Sequence, residues 1–380
     1  MNFPWTLTAV IAACFMTVVT ETSALTSCYY NDEPVEAELA PGDEVIKARV
    51  AGINLPFCAT YNKEVREFIK RYTVIGVKES EAMLGRTVLY FPIFEHYLRV
   101  YKLPEELKYL PMVESTLRPE VRSTAGAAGL WQFVPTAARH FGLKMEGGVD
   151  ERLDPYRSTE AAVKMLAALY EEFGDWMLVM AAFNSGSGRV KKAICYANSK
   201  DYWVISKYLP VESRRYVPSF IAAAYLVNYF NEHNLAPKYP SYQMQETRTF
   251  RVYTPLTFQQ IAQVVGVKTS VIQALNPSYL QQYVPAGKNG HFVIVPASGA
   301  VAFRQFLAKK AGVSPNSETP QGRFKSSYIV VPGDRIESVA MLFRCDVEDL
   351  MKWNQLAHRE VVVNQYLQLF LPENNKKIKP

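Results

Sequence analysis

The sequence predicts a multidomain protein in which a mostly α domain is followed by two small α+β domains of βααβ order. Helical hydrophobic periodicity continues almost without a break from about Val45 to Phe230. The character of the chain changes near Asn234, after which short β-rich pieces flank helical ones. At roughly 150 residues per domain, the length of 380 residues also favours more than one domain.

Composition and charge exclude several classes of protein. The chain is 49% hydrophobic and 21% charged, which is typical of neither disordered nor fibrous proteins. The net charge of +6 is spread over the whole length, without a dense basic run before the last few residues. A nucleic acid is therefore not an expected partner. The five histidines are scattered and the cysteines form no CxxC pair, so no metal site is predicted.

The N-terminus is typical of an exported protein. Residues 5–19 form an apolar run that is too short for a comfortable membrane span but fits the core of a signal peptide. Small residues end at Ala24, which predicts a signal peptide over residues 1–24 and a periplasmic location. Residues 25–28 also resemble a bacterial lipobox, so acylation of Cys28 and anchoring to the outer membrane remain an alternative.

Composition shifts and proline-rich stretches divide the rest of the chain. Residues 234–245 contain two prolines and little periodicity, and residues 313–323 are rich in Pro, Ser, Asn and Gly. The predicted segments are a helical lead-in (25–78), a mostly α domain (79–235), a linker (236–247), a first small domain (248–297), a second linker (298–326), a second small domain (327–373) and a tail (374–380).

The C-terminal half repeats itself. Ile261-Ala262 and Leu275-Asn276 have counterparts 78 positions later, in Val339-Ala340 and Trp353-Asn354. Agreement at paired positions without a gap predicts a duplicated unit of strand, two short helices and strand. The predicted strands are Thr249–Tyr253, Phe292–Val295, Tyr328–Val331 and Tyr366–Leu371.

A carboxylate on an apolar helical face is the first candidate for catalysis. The residues at steps of 4, 3, 4 and 3 are Leu103, Leu107, Leu110, Glu114 and Leu117. Pro104 and the two glutamates after it predict the first turn of this helix. Apolar surroundings would raise the pKa of Glu114, as a general acid requires. Two alternatives stay open: Pro111 turns Glu114 to solvent, or Glu114 caps a neighbouring helix.

The stretch from Ala125 to Phe133 is the second candidate. It places small residues before a bulky amphipathic cluster. Gly129 allows the backbone to approach a ligand or a helix closely. Trp131 supplies a flat apolar face suited to a sugar ring, and Gln132 offers both a donor and an acceptor. A tight loop ahead of a helix is the simpler structural interpretation.

These motifs stand in the order seen in family 1 lytic transglycosylases, which the chain resembles over about residues 60–235. The matching positions are Glu114-Ser115, Ser123, Gly126–Phe133, Ala181–Gly186 and Glu212–Pro218. The resemblance implies a lysozyme-like α fold, Glu114 as a single catalytic carboxylate and no cofactor. It also implies substrate contacts from Ser123, Gln132, Asn184 and Tyr216. Phe183 stands where the family often has Tyr, and Ser213 where it often has Thr.

The second small domain resembles a LysM domain, a module that binds glycans such as peptidoglycan. The resemblance lies in Tyr328–Ala340, Trp353-Asn354 and Leu369–Pro372. It implies glycan contacts from Gly333, Asp334 and Asn354. The first copy has residues 253–256 in place of the Gly-Asp turn, so a degenerate structural copy and an active one both remain open.

Together the resemblances imply a monomeric enzyme acting on peptidoglycan glycan strands. It would cleave the β-1,4 bond between N-acetylmuramic acid and N-acetylglucosamine and leave a 1,6-anhydromuramyl end, with one Glu as acid and then base. A muramidase that hydrolyses the same bond is one alternative. A non-catalytic LysM wall-binding protein is another. A cysteine peptidase is disfavoured because the surroundings of Cys195 carry no nucleophile signature.

Overall fold

The computed structural model describes residues 42–287, 290–310, 323–330, 334–343, 345–362 and 365–372. The predicted signal peptide, Cys28, Gly333 and the tail lie outside these ranges. The chain divides into two compact units, Met1–Pro240 and Ser241–Pro380. Within the described ranges, no helix combines the length and the apolar character needed to cross a membrane.

The first unit is almost entirely helical. Its α-helices are α1 (Asp43–Ala51), α2 (Lys63–Lys70), α3 (Val77–Val100), α4 (Leu110–Ser115), α5 (Pro135–His140), α6 (Pro155–Phe173), α7 (Trp176–Ser185), α8 (Ser187–Ala197), α9 (Tyr202–Ile205) and α10 (Val211–Tyr229). Short 3-10 helices cover Glu105–Tyr109, Glu151–Leu153, Ser206–Tyr208 and Phe230–His233. A small hairpin pairs β1 (Met145–Glu146) with β2 (Val149–Asp150).

Helix α10 is the centre of this unit. Most of its side chains are buried, in a nearly continuous run from Tyr216 to Leu226, and a helix that is apolar on all sides belongs inside a fold. It packs against α2, α4 and α7. These contacts bring the start of α10, the end of α7 and the end of α4 together, and this is where the candidate site lies.

Two details of the first unit differ from the sequence predictions. The helical periodicity predicted from Val45 to Phe230 holds at the buried Val65 and Ile69, but Val74 is exposed because the chain enters a π-helical turn at Arg71–Ile75. The start of the predicted linker lies on α3 instead of leaving the unit. The Lys238 N–H donates to the carbonyl of Glu81 at 2.9 Å, and a Cβ on Gly85 would stand 1.8 Å from the Lys238 carbonyl oxygen.

The second unit contains two copies of a βααβ arrangement. The first is β3 (Thr247–Val252), α12 (Phe258–Val265), α13 (Thr269–Leu275) and β6 (His291–Pro296), after a short α11 (Tyr242–Gln245) and with a small β4–β5 pair (Leu256–Thr257, Tyr283–Val284). The second is β7 (Arg323–Ile329), α15 (Ile336–Phe343), α16 (Val347–Trp353) and β8 (Tyr366–Pro372). In each copy the outer strands pair antiparallel. The predicted fold class, a mostly α domain followed by two βααβ domains, is confirmed.

The second predicted linker is wrong in part. Residues 300–310 form helix α14 (Ala300–Lys310), and strand β7 begins at residue 323, inside the predicted linker. Phe303 of α14 is fully buried and its ring lies 5.2 Å from that of Phe250 in β3. Burial of one aromatic ring therefore holds α14 on the first copy, a contact with a distant strand that local composition does not predict.

Candidate active site

Glu114 lies in the last turn of α4, a helix shorter than the sequence predicts. A 3-10 helix precedes it at Glu105–Tyr109, and Pro111 stands in its first turn. The helix ends after Ser115 because Thr116 and Leu117 take left-handed backbone conformations, with φ of 51° and 59°. The predicted helical face is therefore wrong at its far end, although Leu117 is still fully buried.

The carboxyl group of Glu114 has a single defined polar partner among the described hydrogen bonds. The hydroxyl of Tyr216 donates to its Oε1 at 2.6 Å. Although Glu114 is only half-buried, burial of its carboxyl group raises its pKa from 4.5 to about 7, while the hydrogen bond from Tyr216 acts in the opposite direction. No charged neighbour in the described part of the chain contributes to this pKa. Neither of the two alternatives for Glu114 occurs.

The other carboxylates of this stretch are engaged elsewhere. Glu105 forms an ion pair with Arg99 at 3.2 Å, and Glu106 accepts a hydrogen bond from Asn54 at 2.8 Å. Glu120 is exposed, as the sequence predicts. Glu114 combines burial of its carboxyl group with a raised pKa, as general acid catalysis at neutral pH requires.

The loop from Val121 to Phe133 lies against the end of α4. It is closed by backbone hydrogen bonds between Ala128 and Phe133 in both directions, each of 3.1 Å. The hydroxyl of Ser115, next to the candidate acid, donates to the carbonyl of Leu130 at 2.9 Å. The loop and the acid are therefore held in register by a direct side-chain contact.

Two of the predicted sugar-binding residues are structural. Trp131 is 1% exposed and presents no face to a ligand. Its ring packs against Phe94, at 5.3 Å between centroids, and its N–H donates to Thr159. Gly129 has φ of +87°, and a Cβ there would stand 1.8 Å from the Arg152 carbonyl oxygen. The prediction for Trp131 is wrong because an indole inside a helical core gains more by burial than at the surface.

Two other predicted contacts, Gln132 and Ser123, belong to the loop that is bonded to the end of α4 through Ser115. The Gln132 side-chain amide is buried and donates to the carbonyls of Gly129, at 2.8 Å, and Val121, at 3.2 Å. Ser123 is half-buried, and its hydroxyl accepts from the Ala127 N–H at 3.0 Å.

Asn184 comes from α7 and Tyr216 from α10, the helix that packs against both α7 and α4. Asn184, at the end of α7, accepts a hydrogen bond on Oδ1 from the Ser213 hydroxyl at 2.8 Å. This contact fixes which way the amide faces. Tyr216 is 1% exposed and its hydroxyl donates to Glu114, and its predicted substrate contact stays a prediction.

In the C-terminal copy, Asn354 is half-buried and joins a helix to a strand, and its predicted glycan contact stays a prediction. Its amide nitrogen donates to the carbonyls of Leu350 and Gln368, each at 2.8 Å, and its Oδ1 accepts from the Gln368 N–H. Asn276 makes the same three bonds in the first copy, to Ile272 and Ile294. This shared clamp between helix and strand supports the predicted duplication. Asp334 accepts from the Tyr328 hydroxyl at 2.7 Å.

Sequence reasoning did not assign roles to several residues that shape the site. Ser115 and Ser213 lay inside recognised motifs without a stated role, whereas Arg152 and Asp150 went unnoticed. Arg152 is 6% exposed and its guanidinium binds Asp150 with two hydrogen bonds of 2.9 Å. A buried arginine leaves no local signal beyond its residue type. Within the described ranges no cluster of His, Cys, Asp and Glu could hold a metal ion.

Three family profiles match separate parts of the chain. The Transglycosylase SLT domain matches residues 92–206. The LysM-like domain of lytic transglycosylase MltD matches residues 246–312, and the LysM domain matches residues 328–370.

Two curated relatives and one solved structure are similar to parts of this chain. Membrane-bound lytic murein transglycosylase D of Escherichia coli K12 is 33% identical over 276 residues, 70% of this chain and 60% of that protein. Soluble lytic murein transglycosylase of the same organism is 28% identical over 37% of this chain and 23% of that protein. The 70 kDa soluble lytic transglycosylase Slt70 of Escherichia coli is 26% identical, with a TM-score of 0.34, over 39% of this chain and 25% of that one.

The chain spans about 60% of the length of the first of these relatives. The SLT match includes both Glu114 and Asn184. The chain thus carries an SLT-type lytic transglycosylase domain followed by an MltD-type LysM-like domain and a LysM domain, and it is similar to the membrane-bound lytic murein transglycosylases D.

Proposed function

We propose that the chain is a peptidoglycan lytic transglycosylase with Glu114 as its catalytic residue. The observation that carries the proposal is the half-buried Glu114 carboxyl group, hydrogen-bonded to Tyr216, with a pKa near 7. A group that is partly protonated at neutral pH can donate a proton and later accept one. The SLT, LysM-like and LysM matches support peptidoglycan as the polymer.

In the first step, Glu114 transfers its proton to the oxygen between N-acetylmuramic acid and N-acetylglucosamine. The bond from this oxygen to the muramyl anomeric carbon breaks, and positive charge develops on that carbon. Most glycosidases place a second carboxylate there, but substrate-assisted enzymes use the N-acetyl group of the sugar itself. We propose the substrate-assisted route, because no second acid perturbs Glu114.

In the second step, Glu114 acts as the base. The ionised carboxylate takes the proton of the muramyl C6 hydroxyl, whose oxygen bonds to the anomeric carbon and closes a 1,6-anhydro ring. The proton that Glu114 gave is thereby returned, and no water is consumed. Tyr216 stabilises the ionised carboxylate between the steps, since a hydrogen bond to the charged form favours it.

Contacts with the sugars are assigned to Ser123, Gln132 and Asn184. The Ser123 hydroxyl accepts from the loop backbone and can still donate to a sugar oxygen. Ser213 holds Oδ1 of Asn184, which directs the amide nitrogen away from it as a donor. The LysM-type domains are proposed to hold glycan strands near the catalytic domain.

We also propose export to the cell envelope, as a monomer. The apolar run of residues 5–19 supports it, and so does the similarity to a membrane-bound relative. Fractionation of cells expressing the chain and its Cys28→Ser variant tests the anchor. Release of the variant alone from the membrane supports acylation, and equal release of both excludes it.

Digestion of purified sacculi tests the reaction. Mass spectrometry of the released fragments should find anhydromuramyl ends, which are one water lighter than hydrolysed ends. Hydrolysed ends would instead identify a muramidase, and binding without release would identify a wall-binding protein. The matched control is Glu114→Gln, which keeps the shape of the side chain and loses the proton. If that variant released fragments at the wild-type rate, Glu114 would not be the catalytic residue.

A further inference from the structure

Arg152 connects three separate parts of the candidate site. Its carboxylate partner is Asp150, which it binds through Nε and Nη2 at 2.9 Å each. Its third nitrogen, Nη1, donates to the carbonyls of Gly126, at 2.6 Å, and Phe133, at 3.1 Å. These two carbonyls belong to the first and last residues of the Gly126–Phe133 loop, the segment that carries Gln132. One planar guanidinium thus closes the loop at both of its ends.

The backbone of Arg152 makes a further contact with the same loop. Its carbonyl oxygen lies where a side chain on Gly129 would begin, at 1.8 Å from the ideal Cβ position. The main chain of Arg152 therefore lies against the middle of the loop, and its side chain is bonded to both ends of the loop. The loop is in turn bonded to the catalytic helix through Ser115 and Leu130.

Burial of this ion pair is a poor way to gain stability. Arg152 and Asp150 have side chains 7% and 5% exposed, and desolvation of a buried pair offsets most of its attraction. Burial alone would raise the pKa of Asp150, but hydrogen bonds and charges from Arg152 and Arg122 lower it below its usual value. The carboxylate therefore stays ionised, and the pair is suited to fixing geometry.

We propose that Arg152, oriented by Asp150, is a positioning residue that fixes the Gly126–Phe133 loop, and through it Gln132 and the catalytic helix, for catalysis. The proposal deepens the proposed function and rests on it for the activity measurements. It assigns no chemical step to Arg152, whose guanidinium is occupied by the loop and by Asp150. Its effect is on the distance between Glu114 and the bound sugar, where a displacement of about 1 Å can cost on the order of 100-fold in rate.

The full chain and three variants test this role. Arg152→Lys keeps the positive charge but loses the fork that reaches two carbonyls, and Asp150→Asn loses the charge that orients the fork. The matched control is Arg122→Gln, because Arg122 binds the same carboxylate at 2.9 Å. The side chain of Arg122 is 43% exposed. Melting temperatures show whether each variant is folded at the assay temperature.

We expect kcat on sacculi to fall about 100-fold in Arg152→Lys and Asp150→Asn and by less than about threefold in Arg122→Gln. The alkaline limb of the pH profile should stay in place, because neither change touches Glu114 or Tyr216. A purely structural role would lower the melting temperature and leave kcat of the folded protein unchanged. That outcome, in either folded variant, would overturn the proposal.

Hydrogen exchange gives a readout that does not need activity. The backbone amides of Ala128, Gly129 and Phe133 are bonded within the loop or to Val121. They should exchange faster in Arg152→Lys and Asp150→Asn than in Arg122→Gln. If the wild-type chain cleaves nothing, the proposed function fails, while hydrogen exchange still tests whether Arg152 fixes the loop. Unchanged hydrogen exchange in Arg152→Lys would overturn the proposal that Arg152 fixes the loop, whatever the activity.

Discussion

The hydroxyl of Tyr216 lies 2.6 Å from Oε1 of Glu114, across 102 positions of sequence. Tyr216 stands on the buried face of α10 and Glu114 in the last turn of α4, so the packing of these two helices sets the distance. The hydrogen bond stabilises the ionised carboxylate, whereas burial stabilises the neutral acid. The pKa near 7 is the balance of the two effects.

Tyr216→Phe should move the alkaline limb of activity to higher pH. The hydrogen bond lowers the pKa of Glu114, so its removal raises that pKa and keeps the acid protonated further into the alkaline range. The rate at neutral pH should fall roughly tenfold, since hydrogen bonds to charged groups are worth about 1.5–3 kcal/mol. The measurement is kcat/KM on solubilised glycan strands between pH 5 and 9.

Tyr90→Phe is the control for this change, because Tyr90 is also buried in the first unit but packs against Phe94. Its pH profile should match that of the wild type. A limb that moves to lower pH in Tyr216→Phe would contradict the balance described for Glu114.

Glu114→Gln should stabilise the folded chain at neutral and alkaline pH. The pKa of Glu114 is raised from 4.5 to about 7 in the folded state, so the unfolded chain releases this proton first. Stability is therefore lost as the pH rises above about 4.5, and the loss levels off above the folded pKa. Because water still reaches part of this side chain, the cost above pH 8 is about 2 kcal/mol. Glutamine carries no such cost.

Thermal unfolding of both proteins at pH 4.5 and pH 8 measures the effect. The melting temperature of Glu114→Gln should exceed that of the wild type at pH 8, and the two should converge at pH 4.5. Equal differences at both pH values would mean that Glu114 titrates normally.

Gly129→Ala should damage the site far more than Gly126→Ala. Both glycines have positive φ, +87° and +80°, so alanine adds a similar backbone strain of about 1 kcal/mol at each. Only at position 129 does the new Cβ overlap the carbonyl of Arg152, whereas no atom lies within 4 Å at position 126. The difference in unfolding free energy between the variants should reach about 3 kcal/mol. Chemical denaturation measures it, and equal losses would contradict the close approach.

Asn354→Ala should unfold the C-terminal LysM domain while the helical domain keeps its activity on soluble fragments. The variant removes three half-buried hydrogen bonds to Leu350 and Gln368, at a cost of about 0.5–1.5 kcal/mol for each bond. Lys352→Ala, at an exposed position two residues away, is the control. Limited proteolysis of residues 323–372 measures the effect. Resistance equal to that of the control would show that the clamp is dispensable.

Local patterns in the sequence carried a large part of the prediction. The helical periodicity from Val45 to Phe230 predicted the mostly α first unit, and short β-rich pieces predicted strands β3 and β6 nearly at their observed ends. The repeat at paired positions predicted both βααβ copies. The pattern failed where the backbone departs from regular helix, at Thr116 and at the π-helical turn before Gly76, because periodicity assumes unbroken geometry.

By itself the sequence determined the order of the domains and the duplication, since both depend on residue types at short and regular spacing, and it singled out Glu114 as the candidate acid through its spacing and the family resemblance. Only the tertiary structure decided which side chains meet: Tyr216 with Glu114, Trp131 with the helical core, and Arg152 with both ends of the loop. The physical reason is that burial and hydrogen bonding depend on which helices pack together, and packing joins residues whose separation along the chain carries no pattern.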